Sequence, residues 1–492
     1  MGDDVASQAV RGAFFNTLGN YGIGIAAFLL GIAVYNLISP EANGLFATGM
    51  LIMMIFARVK LWGLNALLIA AEDPDDLEIS TQFWLSVSLS TLVLLLIVIA
   101  SPLLSLLYTT EQILMAVALA FIAIFEHEGA ASTPQNILMR DMRYGVLAGL
   151  NFAAVTAMLV VQIGAALVNP TGWALLIGYA VKTVIVLIGV WWATPRRPKL
   201  LFSMERARRM MRQGAKLLWG GLGTFLAYRY DDIIVQAVSG QRALGLYDRA
   251  YSWSLMPMAI IGGILGVSAP TYAKARINRA SLTEAVTAIF DVIALIALPA
   301  SFGLVVVAPE FTAALFPDWT AATGMIQMLV LYSLFRPMND SIGSLAPTLD
   351  RVEVQRLYGI TQSVTMLVAA TVLTLGFDRL FASPTAGALG AALAAGLTVV
   401  VGFAVLYHGL LRDTVDVHYA QVFAVPLLAS AVATAAAFGV HAAVAPLSPW
   451  VGLGIKFASF SLVYLLVLLA FNRARLIGRI TQVIAILRPK EA

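Results

Sequence analysis

Glu126, His127 and Glu128 stand side by side in the middle of a long apolar stretch. Such a triplet can carry protons, because burial raises a carboxyl pKa and imidazole titrates near neutrality. The same two carboxylates can equally act as counter-ions for buried cations. Seven cations lie in comparable apolar runs: Arg58, Lys60, Lys182, Arg229, Arg249, Arg336 and Lys456. An ionisable side chain at a bilayer centre costs about 2.5–3.5 kcal/mol on insertion scales and normally faces a polar cavity or a partner. Arg58 and Lys182 fall near the centres of their runs, too deep to snorkel to an interface. Cations so placed suit an anion such as a phosphate or diphosphate, Arg in a bidentate manner; pairing with Glu126 or Glu128 is the structural alternative. Lys60, two residues from Arg58, is expected on a different side of the helix. Arg336 and Asp340 are spaced i, i+4, which favours a structural pair along one helix face. The candidate substrate-binding residues are therefore Arg58, Lys60, Lys182, Arg229 and Arg336. The candidates for ion coupling or structural pairing are Glu126, Glu128, Asp231, Asp232 and Asp340.

Other chemistries find no residues to perform them. The chain has no cysteine, which excludes thiolate catalysis, disulfides and cysteine-held metals. The other histidines, His408, His418 and His441, fall at or near the ends of apolar runs without ligand spacing, so no metal or cofactor is expected. No Ser/His/Asp set, glycine-rich phosphate loop or ATP motif is visible, so no catalytic residue is assigned. Energy for any transport would come from a proton or sodium gradient, or from the substrate gradient itself.

The elements that must position these charges follow from composition. Of 492 residues, 60% are hydrophobic and only 12% charged, against roughly 25% charged in a soluble domain. Lipid must be the solvent for most of the chain, and the small net charge of +4 does not suggest nucleic acid. The opening residues do not read as a signal peptide. Runs of about 20 apolar residues, the length of a spanning helix, recur throughout. Fourteen are predicted, at 12–37, 43–71, 80–107, 112–137, 145–168, 172–193, 213–239, 243–271, 281–309, 319–346, 354–377, 386–410, 419–445 and 449–471. The runs are continuous rather than alternating, which favours helices over an outer-membrane barrel. The class is an all-α polytopic membrane protein.

Basic residues bias connections toward the cytoplasm. Twenty-two of the 31 basic residues fall on one side and two, Arg242 and Arg379, on the other; both termini are expected in the cytoplasm. The acidic loop from Glu72 to Glu78 lies on the basic side without a single Lys or Arg. The basic stretch 195–216 is the longest polar connection, read as an amphipathic linker on anionic headgroups or a docking site for a partner. The tail from Arg473 to Lys490 has the same character.

A weak internal repeat is present. Arg11 precedes Gly44-Leu45-Phe46 by the same spacing as Arg212 precedes Gly245-Leu246-Tyr247, an offset of 201, and Pro134-Gln135-Asn136 is answered by Pro337-Met338-Asn339 at an offset of 203. Two pseudo-symmetric six-helix lobes plus two C-terminal helices are expected. The parts are an N-lobe at 1–194, a basic linker at 195–212, a C-lobe at 213–410, two further spans at 411–472 and a basic tail at 473–492.

Four stretches carry a resemblance to a known family: 37–55 with 63–73, PQNILMRDMRY at 134–144, 172–203, and RYDDIIVQAVSGQRALGLYDRAYSWSLMP at 229–257. In the last, Asp231, Gly240, Ala243, Leu244, Gly245, Tyr247 and Ala250 match that family's pattern. The chain resembles the polysaccharide (Wzx-type) flippases of the multidrug/oligosaccharidyl-lipid/polysaccharide exporter superfamily, in particular colanic-acid and exopolysaccharide exporters. Pro347 and the all-acidic loop depart from the pattern. The resemblance implies a non-enzymatic bacterial inner-membrane transporter. It would turn undecaprenyl-diphosphate-linked oligosaccharides from the cytoplasmic to the periplasmic leaflet by alternating access, with a polysaccharide polymerase and chain-length regulator as partners. An ion-coupled multidrug antiporter of the same superfamily would normally stop at twelve spans and favour carboxylates in its cavity. A glycan polymerase or glycosyltransferase would need a larger outer loop than residues 377–386.

Overall fold

In lipid every backbone N–H and C=O must be satisfied within its own segment, so apolar runs of this length fold as helices. A computed structural model describes residues 24, 27–60, 64–71, 73–266, 268–444 and 448–487, all helical or in the connections between helices. Arg11, Arg488 and Lys490 lie outside the described residues, as do the side chains of Lys216, Arg473, Arg475 and Arg479. The chain divides into two compact units, Met1–Asp248 with Thr374–Ala388, and Arg249–Leu373 with Leu389–Ala492.

Among the described residues the first unit runs from α1 (Ala27–Leu37) through α2 (Pro40–Phe56), α3 (Leu64–Ala70), α4 (Asp76–Leu104), α5 (Thr110–Ala123), α6 (Ser132–Arg140), α7 (Tyr144–Val168) and α8 (Gly172–Ala193) to the greater part of α9 (Met204–Ser254). Starts are written in the local sequence. Ser39 caps α2 ahead of Pro40, Asp75 caps α4 by accepting from Glu78 N, and Thr109 and Gln112 form a reciprocal capping box on α5, each satisfying amides that a helix start leaves open. Leu45, Ile52 and Met53 of α2 pack on Val93 and Ile97 of α4, Met115 and Leu119 of α5 and Leu176 of α8. Along α4 the opposite side chains Leu95, Ile99 and Leu103 are exposed, an apolar stripe suited to lipid rather than water.

The second unit contains α10 (Met256–Gly266), α11 (Ser268–Ala275), α12 (Arg279–Val292), α13 (Leu298–Leu315), α14 (Thr323–Met328), α15 (Val330–Gly343), α16 (Leu345–Thr348), most of α17 (Val352–Leu380) and α18 (Ala386–Leu406), then α19 (Arg412–Thr414), α20 (Tyr419–Val444) and α21 (Pro449–Leu487). Tyr272, Phe290, Ile293, Ile342, Tyr358 and Leu410 anchor its core. Helix α21 continues to Leu487, so no helix end marks the expected start of a separate tail at Arg473.

Eight helices among the described residues are long and apolar enough to cross a membrane, and α1 with α2 makes a further pair bent by 114°. Several expected continuous runs are instead interrupted. The run 43–71 stops at Phe56, tightens into a 3-10 turn at Ala57–Val59 and becomes extended at Lys60. The run 112–137 breaks between Ala123 and Ser132. Hydropathy averages over such breaks, since a window of about 20 residues stays apolar overall even where it contains Arg58 and Lys60 or Glu126 to Glu128.

The acidic loop finds its counter-charges in the basic linker. Lys199 pairs with Asp76 and Arg206 with Asp75, and Arg196 Nη1 lies 3.7 Å from Asp73 Oδ1. Backbone contacts reinforce the clasp: Lys199 N donates to Ser80 Oγ at 2.9 Å, Ser203 N to Thr81 Oγ1 at 3.1 Å, and Trp84 Nε1 to Lys199 O at 3.1 Å. The hydrogen bond from Arg206 holds the Asp75 carboxyl below its usual range. These three cations therefore tie the linker to the protein, while Arg208, Arg209 and Arg212 remain exposed.

The two Gly-Leu-aromatic segments of the repeat meet each other. Helix α9 is broken at Gly240, whose φ of 80° lies where residues with a Cβ are strained. Beyond the break, Asn43 Nδ2 donates to Gly245 O at 3.0 Å and Gln241 Nε2 to Glu41 O at 2.8 Å, and Arg242 pairs with Glu41. A Cβ on Gly245 would stand 2.0 Å from Pro40 O, and one on Gly44 2.0 Å from Gln241 O. Both obstacles are backbone, so the helices must separate to admit a methyl group. Gly245→Ala and Gly44→Ala are each expected to lower stability by about 1–3 kcal/mol, read as a fall in melting temperature of the detergent-purified protein. Gly439→Ala, with nothing within 4 Å, serves as the neutral control. Melting of the first two at the control temperature would contradict the close approach.

A candidate anion site of paired cations and carboxylates

Three segments of the first unit build the cluster. The first is the end of α2, where the 3-10 turn carries Arg58 and the extended residue Lys60. The second is the connection 124–131 between α5 and α6. The third is α8, on which Tyr179 and Lys182 stand three residues apart on one face. The connection is held by side chains of its neighbours: Ser90 Oγ donates to Glu128 O at 3.1 Å and Trp191 Nε1 to Ala130 O at 3.1 Å. Beside it a polar network joins α3, α4 and α6, with Asn65 Oδ1 accepting from Ser132 Oγ at 2.8 Å, Asn136 Nδ2 at 3.0 Å and Gln82 Nε2 at 3.4 Å. Asn136, singled out by the repeat, is thus a positioning residue. Its counterpart Asn339 in the second unit donates to Val399 O at 2.8 Å.

Each carboxylate takes a different cation. Glu126 Oε1 accepts from Tyr179 OH at 2.6 Å, with Lys182 Nζ at 3.5 Å and His127 Nδ1 at 3.9 Å from the same oxygen. Lys182 Nζ also lies 4.9 Å from the centre of the Tyr179 ring, a cation–π contact. Lys60 Nζ reaches Glu128 Oε2 at 3.5 Å. Lys60 lies just past the 3-10 turn at 57–59, and its partner Glu128 differs from those of Arg58. Arg58 Nε donates to Met54 O at 3.0 Å and its guanidinium sits 4.8 Å from the centre of the Phe225 ring.

Arg229 is in the same unit but engaged differently. Its Nη1 donates to Asp232 Oδ2 at 2.9 Å, while buried Asp231 accepts from Tyr247 OH at 2.6 Å. Arg336 belongs to the second unit, where it pairs with Asp340 at 2.9 Å and donates to Tyr332 OH at 2.9 Å. The sequence candidates therefore separate into three groups: Arg58, Lys60 and Lys182 with Glu126 and Glu128; Arg229 with Asp231 and Asp232; and Arg336 with Asp340. The first offers ion pairs longer than 3.4 Å that an incoming anion can exchange, whereas the other two are closed at hydrogen-bond distance.

Two sets of residues escaped the sequence reading. Tyr179 passed as an ordinary apolar-run aromatic, although its place three residues before Lys182 is a usable signal. In the second unit, Lys456 Nζ meets Glu310 Oε2 at 2.7 Å and His441 Nε2 lies 3.3 Å from Glu310 Oε1. Glu310 stood one residue past the expected span, and His441 was set aside as a span-end residue. The signal was Lys456 itself, since a lysine within hydrocarbon demands a partner.

Comparison with known proteins agrees with this architecture. A family described as "Polysaccharide biosynthesis protein" matches residues 35–323, more than half of the chain. The lipopolysaccharide biosynthesis protein WzxC of Escherichia coli K12 is 21% identical over 392 residues, covering 78% of this chain and 77% of that protein. The teichuronic acid biosynthesis protein TuaB of Bacillus subtilis is 24% identical over 300 residues, covering 59% of this chain and 61% of its own. The succinoglycan biosynthesis transport protein ExoT of Rhizobium meliloti is 21% identical over 298 residues, covering 60% of each chain. The matches with TuaB and ExoT thus span about three fifths of those relatives. Among solved structures, the lipid II flippase MurJ in an inward closed conformation superposes with a TM-score of 0.72 over 92% of this chain and 99% of its own, at 14% identity. That likeness is one of fold.

Proposed function

We propose, since this chain belongs to the polysaccharide biosynthesis protein family, that it is a membrane transporter that turns lipid-linked oligosaccharide repeat units from one leaflet to the other. The carrier lipid is undecaprenyl diphosphate, the direction is cytoplasmic to periplasmic across the bacterial inner membrane, and the product feeds exopolysaccharide or lipopolysaccharide assembly. The observation that carries the reading is Lys60 paired with Glu128 and Lys182 with Glu126 in one unit, with Arg58 on the same turn as Lys60 and within electrostatic reach of Glu128. The names of WzxC and ExoT, and the fold shared with MurJ, support it.

The physical task is to move a charged, hydrated head through hydrocarbon while the polyprenyl tail stays in the bilayer. A free diphosphate pays the full penalty of burying charge; one held by a guanidinium and two ammonium groups has its charge matched by short, charge-assisted hydrogen bonds. Lys60 and Lys182 are flexible point charges that can leave their carboxylates, and Arg58 offers the planar fork that fits a phosphate edge. Arg229 and Arg336 are assigned supporting roles through their aspartate partners. A proton or sodium gradient is proposed as the energy source, and a polymerase with its chain-length regulator as the machinery that receives the unit.

Deletion of the gene is expected to abolish polymer and cause full-length lipid-linked repeat units to accumulate facing the cytoplasm. The check is extraction of the lipid-linked pool with sizing of its glycan and a membrane-impermeant label for its side. Accumulation of a truncated sugar unit would assign the chain to glycan synthesis instead.

A further inference from the structure

The Glu126 environment holds a group that anion binding alone does not use. His127 stands beside Glu126 with Nδ1 3.9 Å from Oε1, and its side chain is 58% exposed, whereas Glu126 is 13% exposed. The carboxylate is satisfied by two other donors, Tyr179 OH at 2.6 Å and Lys182 Nζ at 3.5 Å. The remaining charged groups around this turn are Glu128 on the same connection and Lys60 and Arg58 from the end of α2, with Lys60 Nζ 3.5 Å from Glu128 Oε2. Of the elements packed on the connection, α8 contributes Lys182 and Tyr179, and α4 contributes the hydroxyl of Ser90.

If Lys182 moves its ammonium from Glu126 to a phosphate, a largely buried carboxylate loses the lysine paired with it. Leaving a buried charge unpaired is more costly than exchanging its partner. Among the side chains named around Glu126, His127 is the one whose type changes charge near neutral pH, and it is far more exposed than the carboxylate. We propose that His127 takes up a proton when the diphosphate claims Lys182, so that substrate and proton bind together at this site. The inference rests on the assignment of Lys182 to the substrate made above. Binding linkage is reciprocal: if the substrate favours the protonated imidazole, lowering the pH through its titration range tightens substrate binding, by up to about tenfold per pH unit for one proton. Sign and mechanism agree, because the protonated imidazolium supplies Glu126 with the charge that Lys182 withdraws.

The test is equilibrium binding of farnesyl-diphospho-N-acetylglucosamine to the purified full-length protein in detergent between about pH 5.5 and about pH 8.5. Both phosphates of this probe are diesters and hold their charge over that range, so any slope belongs to the protein. The wild type is expected to bind more tightly as pH falls. His127→Gln is expected to bind with no slope, at the weak level the wild type shows at high pH. His127→Arg, charged throughout, is expected to bind with no slope at the tight level of the wild type at low pH, which separates lost protonation from lost folding. Binding by the wild type without pH dependence, or an unchanged slope in His127→Gln, overturns the proton inference and leaves the diphosphate assignment standing. Absence of binding at every pH overturns both.

Discussion

Lys182→Gln and Arg58→Gln are each expected to reduce surface polymer to the level of a deletion strain while the protein still inserts in the membrane. A charge-assisted hydrogen bond contributes about 1.5–3 kcal/mol, so one lost ammonium or guanidinium weakens capture of the diphosphate by roughly tenfold to more than a hundredfold (1.4 kcal/mol per tenfold). The fold should tolerate both changes. Glu126 keeps Tyr179 OH at 2.6 Å and the neighbouring His127 when Lys182 goes. The guanidinium of Arg58 lies over the Phe225 ring, and the planar amide of glutamine keeps part of that packing. Arg58→Lys is the more discriminating variant: it preserves charge but removes the planar fork, so export should fall to an intermediate level. The measurement is surface polymer normalised to membrane-inserted protein by immunoblot. Normal export by both Gln variants would remove the diphosphate from this cluster.

The largest effect on stability is expected in the second unit. Lys456 is 3% and Glu310 11% exposed, 2.7 Å apart, and the lysine ammonium also lies 5.0 Å from the centre of the Phe438 ring. Breaking a buried pair by removing one partner strands the other charge, at a cost of about 3–5 kcal/mol, whereas replacing both by apolar residues is often neutral or stabilising. Lys456→Met should therefore destabilise the protein severely, and Lys456→Met with Glu310→Leu should restore much of the loss. The pair binds α21 to α13, and His441 at 3.3 Å adds α20 to the same carboxylate, so the loosened elements would be the two C-terminal helices. Thermal unfolding in detergent, followed by tryptophan emission, reads the effect. A single variant that melts with the wild type, or a double variant no better than the single, would show the pair to be incidental.

How far the sequence could be read depended on whether an interaction is local. The helices, their capped starts at Ser39, Asp75 and Thr109, and the Arg336–Asp340 pair follow from residues within one or two turns of each other, where backbone geometry alone sets the distance. The seven cations in apolar runs were visible for the same kind of reason, since a charge in hydrocarbon stands out against its neighbours. The breaks were not visible. The turn at Ala57–Val59 carries Arg58, but a charge marks a residue that needs a partner and does not by itself say that the helix ends there, with Lys60 extended beyond it. The clasp between the acidic loop and the linker was equally hidden, because Asp75 and Arg206 are 131 residues apart.

The sequence by itself determined the solvent, the helical class, the family resemblance and the short roster of charges able to hold an anion. Each is a property of composition, periodicity or local spacing, and none requires knowing which helix lies beside which. Tertiary structure alone decided the pairing: Glu126 with Lys182 and Tyr179, Glu128 with Lys60, Glu310 with Lys456. These partners are 53 to 146 residues apart, and only the packing of α8, of the end of α2 and of α21 against their neighbours brings them within reach. Coulomb attraction favours any opposite pair in hydrocarbon. The helix packing, set by apolar side chains that carry no charge, selects which pairs form.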